Sequence, residues 1–232
     1  MTLFRQKADN ERRFHWEFVV SPVKITRFLG WVVFALILAH ILVQAYHFHI
    51  NELPWLLREI FDPDEEPSFA TWFSTLILFV SSVLLFLIAS NKEKWNYKKH
   101  WYGLGAGFAF MSLDEVAGMH ETFNTFTDFA WTIPAAVGVV VLIAVYFKFL
   151  VALPQPMKSQ FIIAGLFFLS GALVVEHLAD YYIEAYTMKN FGYNMLTAFE
   201  ETLEMVGVVL FIRALLLSLV EDGHENVFFK IN

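Results

Sequence analysis

Three stretches of this 232-residue chain set acids and histidines at helical spacing. Ser112 to Glu121 reads S-L-D-E-V-A-G-M-H-E and supplies Asp114, Glu115, His120 and Glu121. Glu176, His177 and Asp180 follow in E-H-L-A-D, then Glu200, Glu201 and Glu204 in E-E-T-L-E-M, so two segments share the pattern E-[HE]-x-x-[DE]. Residues advance about 100° per position on a helix, which confines each of these triplets to an arc of roughly 100°. Asp114 and Glu121, seven positions apart, are expected on one helix face, as are His40 and His47 earlier in the chain. Glu115 and His120 flank the Asp114 face.

Carboxylates and imidazoles without sulfur suit iron, manganese or zinc, and a set this large suffices for two ions. The expected ligands are Asp114, His120, Glu121, Glu176, His177, Asp180, Glu200, Glu201, Glu204, His40 and His47, with Glu115 as the candidate general base. The chain has no cysteine, which excludes disulfides, zinc-thiolate sites and a Cys nucleophile. A haem held by His40 and His177 would be crowded by acids. Ser112 beside Asp114 is better read as a helix serine bonding back to a carbonyl than as a nucleophile. Facing helices of bundle-core dimetal proteins carry Glu-x-x-His, and these segments lack it, so no ferritin-like reading follows.

The elements that must position these groups are membrane helices. Hydrophobic residues make up 57% of the chain and charged ones 17%, against about a quarter charged in soluble domains. Crossing the ~30 Å hydrocarbon layer takes about 20 apolar residues, and six segments qualify: 25–47, 69–90, 101–121, 131–150, 160–181 and 195–219. The reading is an all-α, single transmembrane domain over 1–232 with a short cytoplasmic segment at 1–24. The first run is too long for a signal-peptide core. Sixteen Lys and Arg residues are present, and only Arg58 and Lys189 fall in outer connections, which places both termini in the cytoplasm. Trp31, Trp55, Trp72, Trp95, Trp101 and Trp131 lie near segment ends, where indoles favour the headgroup layer. Asn51 to Ser68 is expected as a short interfacial helix followed by a solvated acidic turn.

With this orientation the polar groups of the first, third, fifth and sixth segments all fall in the outer half of the membrane. The arrangement predicted is a polar-cored four-helix bundle of those segments, flanked by the apolar second and fourth. Eight of its residues are carboxylates, with no Lys or Arg at matching depth. Each unpaired charge inside a bilayer costs at least about 2.5–3.5 kcal/mol, so protons, water or a cation must compensate. Ordinary interfacial residues reaching water are the plainer alternative. The net charge of −7 argues against a nucleic-acid partner.

On S-L-D-E-x4-H-E, E-E-x-x-E-M and the segment Pro67-Ser68-Phe69-Ala70-Thr71-Trp72-Phe73-Ser74, the chain resembles a group of uncharacterised bacterial multi-pass membrane proteins. The resemblance implies the architecture and a place in the bacterial cytoplasmic membrane, and no substrate. The His-x-x-x-His elements of membrane desaturases and alkaline ceramidases are absent. Three functions are consistent with the residues: a metal-dependent enzyme acting on a lipid or isoprenoid, an accessory subunit of a larger membrane complex, and a proton or cation translocator. The last is disfavoured because the acids do not continue inward.

Overall fold

The computed structural model describes residues 16–90, 97–126, 130–186, 190–220 and 227–231. Ser21 leads into α1 (Pro22–His49), which opens on a proline whose fixed φ suits a first helical turn. A short helix, α2 (Trp55–Phe61), and a turn lead to α3 (Phe69–Ser90), so a short helix is present in the 51–68 connection as expected and lies slightly later. Next come α4 (Lys98–Ala117), α5 (Met119–Phe126) and α6 (Thr132–Ala152). The fifth apolar segment is α7 (Met157–Leu169), a π turn (Ser170–Val175) and α8 (Glu176–Ala185) in one run. The chain then enters α9 (Phe191–Ser218), capped by the Asn190 side chain accepting from the Tyr193 N–H at 2.9 Å.

Four helical runs are long and apolar enough to cross a membrane: α1, α3, α6 and Met157–Ile183. At about 1.5 Å per residue, the 20-residue α4 and 28-residue α9 have the required length. Their acids lower their apolarity. On α6, Val137, Val140, Val141, Leu142, Ile143 and Val145 are each more than half exposed, a surface that calls for lipid as its solvent.

Packing differs from the predicted bundle. The central helix is α9, against which α1, α3, α7 and the π turn all pack. The second apolar segment, expected to flank, is in the core as α3, with Leu78, Leu85 and Ile88 almost wholly buried. The third segment, α4, packs chiefly along α3. Hydroxyls and small residues explain that pairing: Ser82 Oγ donates to the Gly105 carbonyl at 2.7 Å and Ser112 Oγ to the Thr75 carbonyl at 3.0 Å. The Phe86 ring lies where a Cβ on Gly105 would sit 3.0 Å away. Close backbones bridged by hydroxyls are the usual solution where no water competes.

Toward the other end, Trp101, Phe149, Phe161 and Phe211 interlock, with Phe108 stacked on Phe211 at 4.7 Å. Trp101 is fully buried there and is no interfacial anchor. Two strands that the all-α reading did not include, β1 (Trp16–Val20) and β2 (Val227–Ile231), pair antiparallel from Trp16 opposite Ile231 to Val20 opposite Val227. They hold the start of α1 and the end of α9 at one end of the molecule.

Candidate functional site

A glycine decides where the first acidic stretch points. Gly118 ends α4 with φ 54°, a left-handed conformation that glycine adopts without a Cβ penalty. The helix therefore breaks before His120 and Glu121, which lie on α5. Asp114 and Glu121 do not share one helix face. The side chains of His120 and Glu121 lie outside the described residues.

A second device aligns the other two stretches. The π turn immediately precedes Glu176, a geometry often found beside functional groups. Within it, a Cβ on Gly171 would meet Glu204 Cγ at 2.7 Å and the Glu200 carbonyl at 2.8 Å. One turn along, a Cβ on Gly207 would meet Phe168 N at 2.6 Å. Two glycines thus let this run lie directly on α9 and bring the Glu176 side chain beside that of Glu200. Trp131 Nε1 donates to Glu176 Oε1 at 3.2 Å. Glu115 faces Glu201 and Glu204 from α4.

These acids line one end of a cavity of about 930 Å³. Asp114, Glu115, Glu176, Asp180, Glu200, Glu201 and Glu204 all border it, joined by Asp64, Glu65 and Glu66 from the turn before α3. Its wall is otherwise mainly apolar, formed by residues such as Phe108, Leu142, Phe147 and Phe168. Among the described residues that line it, none is Lys, Arg or His.

The histidines go elsewhere. His177 is exposed and pairs through Nδ1 with Thr132 Oγ1 at 3.1 Å. His47 Nδ1 accepts from the Leu53 N–H at 3.1 Å and so fastens the chain as it leaves α1. His40 is 1% exposed, with Nδ1 3.1 Å from the Phe61 carbonyl and Nε2 3.0 Å from the Asn194 carbonyl. Carbonyls only accept, so the ring nitrogen that carries hydrogen donates to the carbonyl beside it. Asp62 Oδ1 lies 3.7 Å from Nδ1, and Gln44 Nε2 donates to Asp62 Oδ2 at 3.0 Å. Burial raises the proton affinity of Asp62 above the ordinary carboxylate range, with His40, the Asp64 N–H and Arg58 pulling the other way.

The expected mixed carboxylate and histidine centre is therefore divided. The carboxylates of α4, α8 and α9 share the cavity, while His40, His47 and His177 are engaged in local ties. Among the described residues, no three His, Asp or Glu side chains form a group that could hold a metal ion. The sequence reading missed Asp64 and Tyr193. Tyr193 is buried at the acidic end and its hydroxyl donates to Asp64 Oδ2 at 2.9 Å. The signal for that contact was the shortness of the 62–68 connection, which must lie across the helix ends.

A mostly helical fold with four runs apolar enough to cross a membrane defines a membrane protein, here one with a partly open cavity that carries acids at one end. The chain matches the family described as a domain of unknown function (DUF8692) over residues 28–219, and it belongs to that family. No curated protein and no solved structure matches it.

Proposed function

We propose that this is a six-pass protein of the bacterial cytoplasmic membrane that takes a lipid or isoprenoid into the chamber and holds its polar end among the carboxylates. The observation that carries the reading is the division of one 930 Å³ cavity into an acidic end and an apolar remainder. Binding pockets of roughly 300–1,000 Å³ accommodate a single ligand of modest size. Pairing of β1 with β2 supports an even number of crossings, and the distribution of Lys and Arg supports cytoplasmic termini and a chamber whose acids lie in the outer half. Glu115, facing Glu201 and Glu204, is the group we assign as general base toward a bound hydroxyl or water.

A fatty alcohol with a photoreactive group in its tail tests this reading. Irradiation of the reconstituted protein is expected to label peptides around Phe108 on α4 and Phe168 on α7. Labelling confined to the exposed face of α6, around Val140, would place the probe in bulk lipid and contradict it.

A divalent metal, iron, manganese or zinc, is the second reading, favoured by the number of carboxylates that border one chamber end. Its ligands would come from Asp114, Glu115, Glu176, Asp180, Glu200, Glu201 and Glu204, without imidazole, after side-chain rearrangement. Elemental analysis of protein purified without chelator separates the two: one or two equivalents of metal, lost in the Glu176→Ala and Glu201→Ala double variant, favour the metal.

A further inference from the structure

We propose that the chamber exchanges its ligand with the bilayer sideways, through an apolar slit between the middles of α4 and α6. The proposal rests on the chamber being the binding site and adds how a hydrocarbon chain reaches it. A cavity of about 930 Å³ takes one alkyl chain with its head group. Its walls are not equally closed. Phe110 on α4 and Leu142, Ile143 and Phe147 on α6 border the cavity and are still 60%, 56%, 57% and 59% exposed. Gly103 and Gly107, on the same face of α4 as Phe110, are exposed cavity residues too. The described residues that line it from α7, the π turn, α8 and α9 are all buried or half-buried.

Helix packing accounts for the opening. α4 lies along α3, while α6 has the π turn as its main backbone neighbour, so the two helices that flank the slit are not a packed pair. Side chains tie α6 near its ends instead. At its start Trp131 Nε1 donates to Glu176 and Thr132 Oγ1 meets His177 Nδ1. Toward its other end the Tyr146 hydroxyl donates to the His100 carbonyl at 3.2 Å and Phe149 meets Trp101. A Cβ on Gly103 would strike that Tyr146 hydroxyl, which marks one end of the slit, whereas one on Gly107, a turn further along, would meet nothing within 4 Å.

Position and chemistry point to lipid. Phe110 and Leu142 each lie roughly 15–18 Å along their helices, near the middle of a ~30 Å hydrocarbon layer. Every side chain on the two rims is apolar or absent, and a chain passing between them leaves one apolar medium for another. The remaining exposed lining residues are Asp64, Glu65 and Glu66, at the acidic end. Their turn lies across that end and is fastened there: Tyr193 donates to Asp64 at 2.9 Å and Thr71 Oγ1 to the Glu65 carbonyl at 3.0 Å.

Release kinetics distinguish the slit from an aqueous mouth. Full-length protein would be loaded in detergent with a 12-carbon or an 18-carbon alcohol carrying a photoreactive tail, reconstituted into probe-free vesicles and irradiated at intervals. Decay of labelling around Phe168 gives the release rate. Through the slit the two alcohols are expected to leave at rates within about fivefold of each other. Departure through water slows about fourfold for each added CH₂, so six of them would separate the rates by more than about a thousandfold. That result would overturn the slit and leave the chamber standing. Absence of Phe168 labelling at the first time point would remove the chamber, and the slit with it. Wild-type protein alone decides between these outcomes.

Bridging adds a second measurement, because the chain has no cysteine of its own. Gly107→Cys with Ile143→Cys, joined by a bifunctional thiol reagent, should slow release of both alcohols at least about tenfold. The same reagent across Thr132→Cys and His177→Cys, where α6 is already tied, should leave release within about twofold. Equal effects of the two bridges would contradict an exit between α4 and α6.

Discussion

Two polar regions of this protein draw on the same residue types and are built in opposite ways. Around His40, both ring nitrogens, both Asp62 oxygens and the Gln44 amide meet partners within the chain, and the ring is almost fully enclosed. Around Glu176, Glu200, Glu201 and Glu204, carboxylates from two helices border open space and face one another. A satisfied buried network fixes a fold, whereas like charges gathered at a cavity end hold a position ready for something that arrives. The His40 cluster fastens the turn after α2 to α1 and α9. In the proposed function, the carboxylate cluster is where the cavity receives its ligand.

If the two regions differ in this way, substitutions should separate them. The largest stability loss is expected from His40→Ala, which removes the buried ring that lies against the Phe61 and Asn194 carbonyls. Leaving a buried polar group unsatisfied costs about 1–3 kcal/mol, and a clearly lowered unfolding midpoint in detergent would report it. Retention of the wild-type midpoint would mean that the turn is held by other contacts.

Gly171→Val is expected to come next. Its Cβ would press on Glu204 Cγ and the Glu200 carbonyl, and overpacking of this kind costs about 1–3 kcal/mol. Because it separates the π turn from α9, it should also abolish lipid binding, which His40→Ala leaves in place once the protein is folded. Loss of stability with full lipid binding would show that the close crossing does not set the chamber.

The smallest effect is a pH dependence of the turn after α2. Burial makes the folded chain hold the Asp62 proton more tightly than the unfolded chain does. Its contribution to stability is therefore complete below the ordinary carboxylate value and is lost as pH rises through the raised one. Hydrogen exchange of residues 55–66, corrected for intrinsic rates, should quicken across that window in wild type and stay flat in Asp62→Asn. A slope of equal size in both would assign the dependence to another group.

Apolar length was the best-marked feature of the sequence, and α3 begins and ends where its uncharged run does, at Phe69 and Ser90. Helical spacing also located the α9 triplet, all three of whose acids border the chamber. Spacing failed where the backbone departs from α geometry. Gly118 breaks the frame that would have put Asp114 and Glu121 on one face, and a glycine in an apolar run carries no mark of its φ. Histidine direction was equally hidden. His177 follows Glu176 in sequence yet turns to Thr132 on α6, a contact 45 residues away that no local pattern announces. Burial of α3 was missed because an uncharged helix suits lipid and core alike, and only the hydroxyl contacts to α4 distinguish them.

Lipid carried through purification tests the chamber most directly. Wild-type protein extracted in mild detergent and Gly107→Leu prepared in parallel would be compared by mass spectrometry of bound lipid, with unfolding midpoints measured on the same samples. About one equivalent of a single-chain amphiphile on the wild type, and little or none on an equally stable Gly107→Leu, is the predicted result. The same lipids in the same amounts on both proteins would contradict the assignment of this cavity as the binding site.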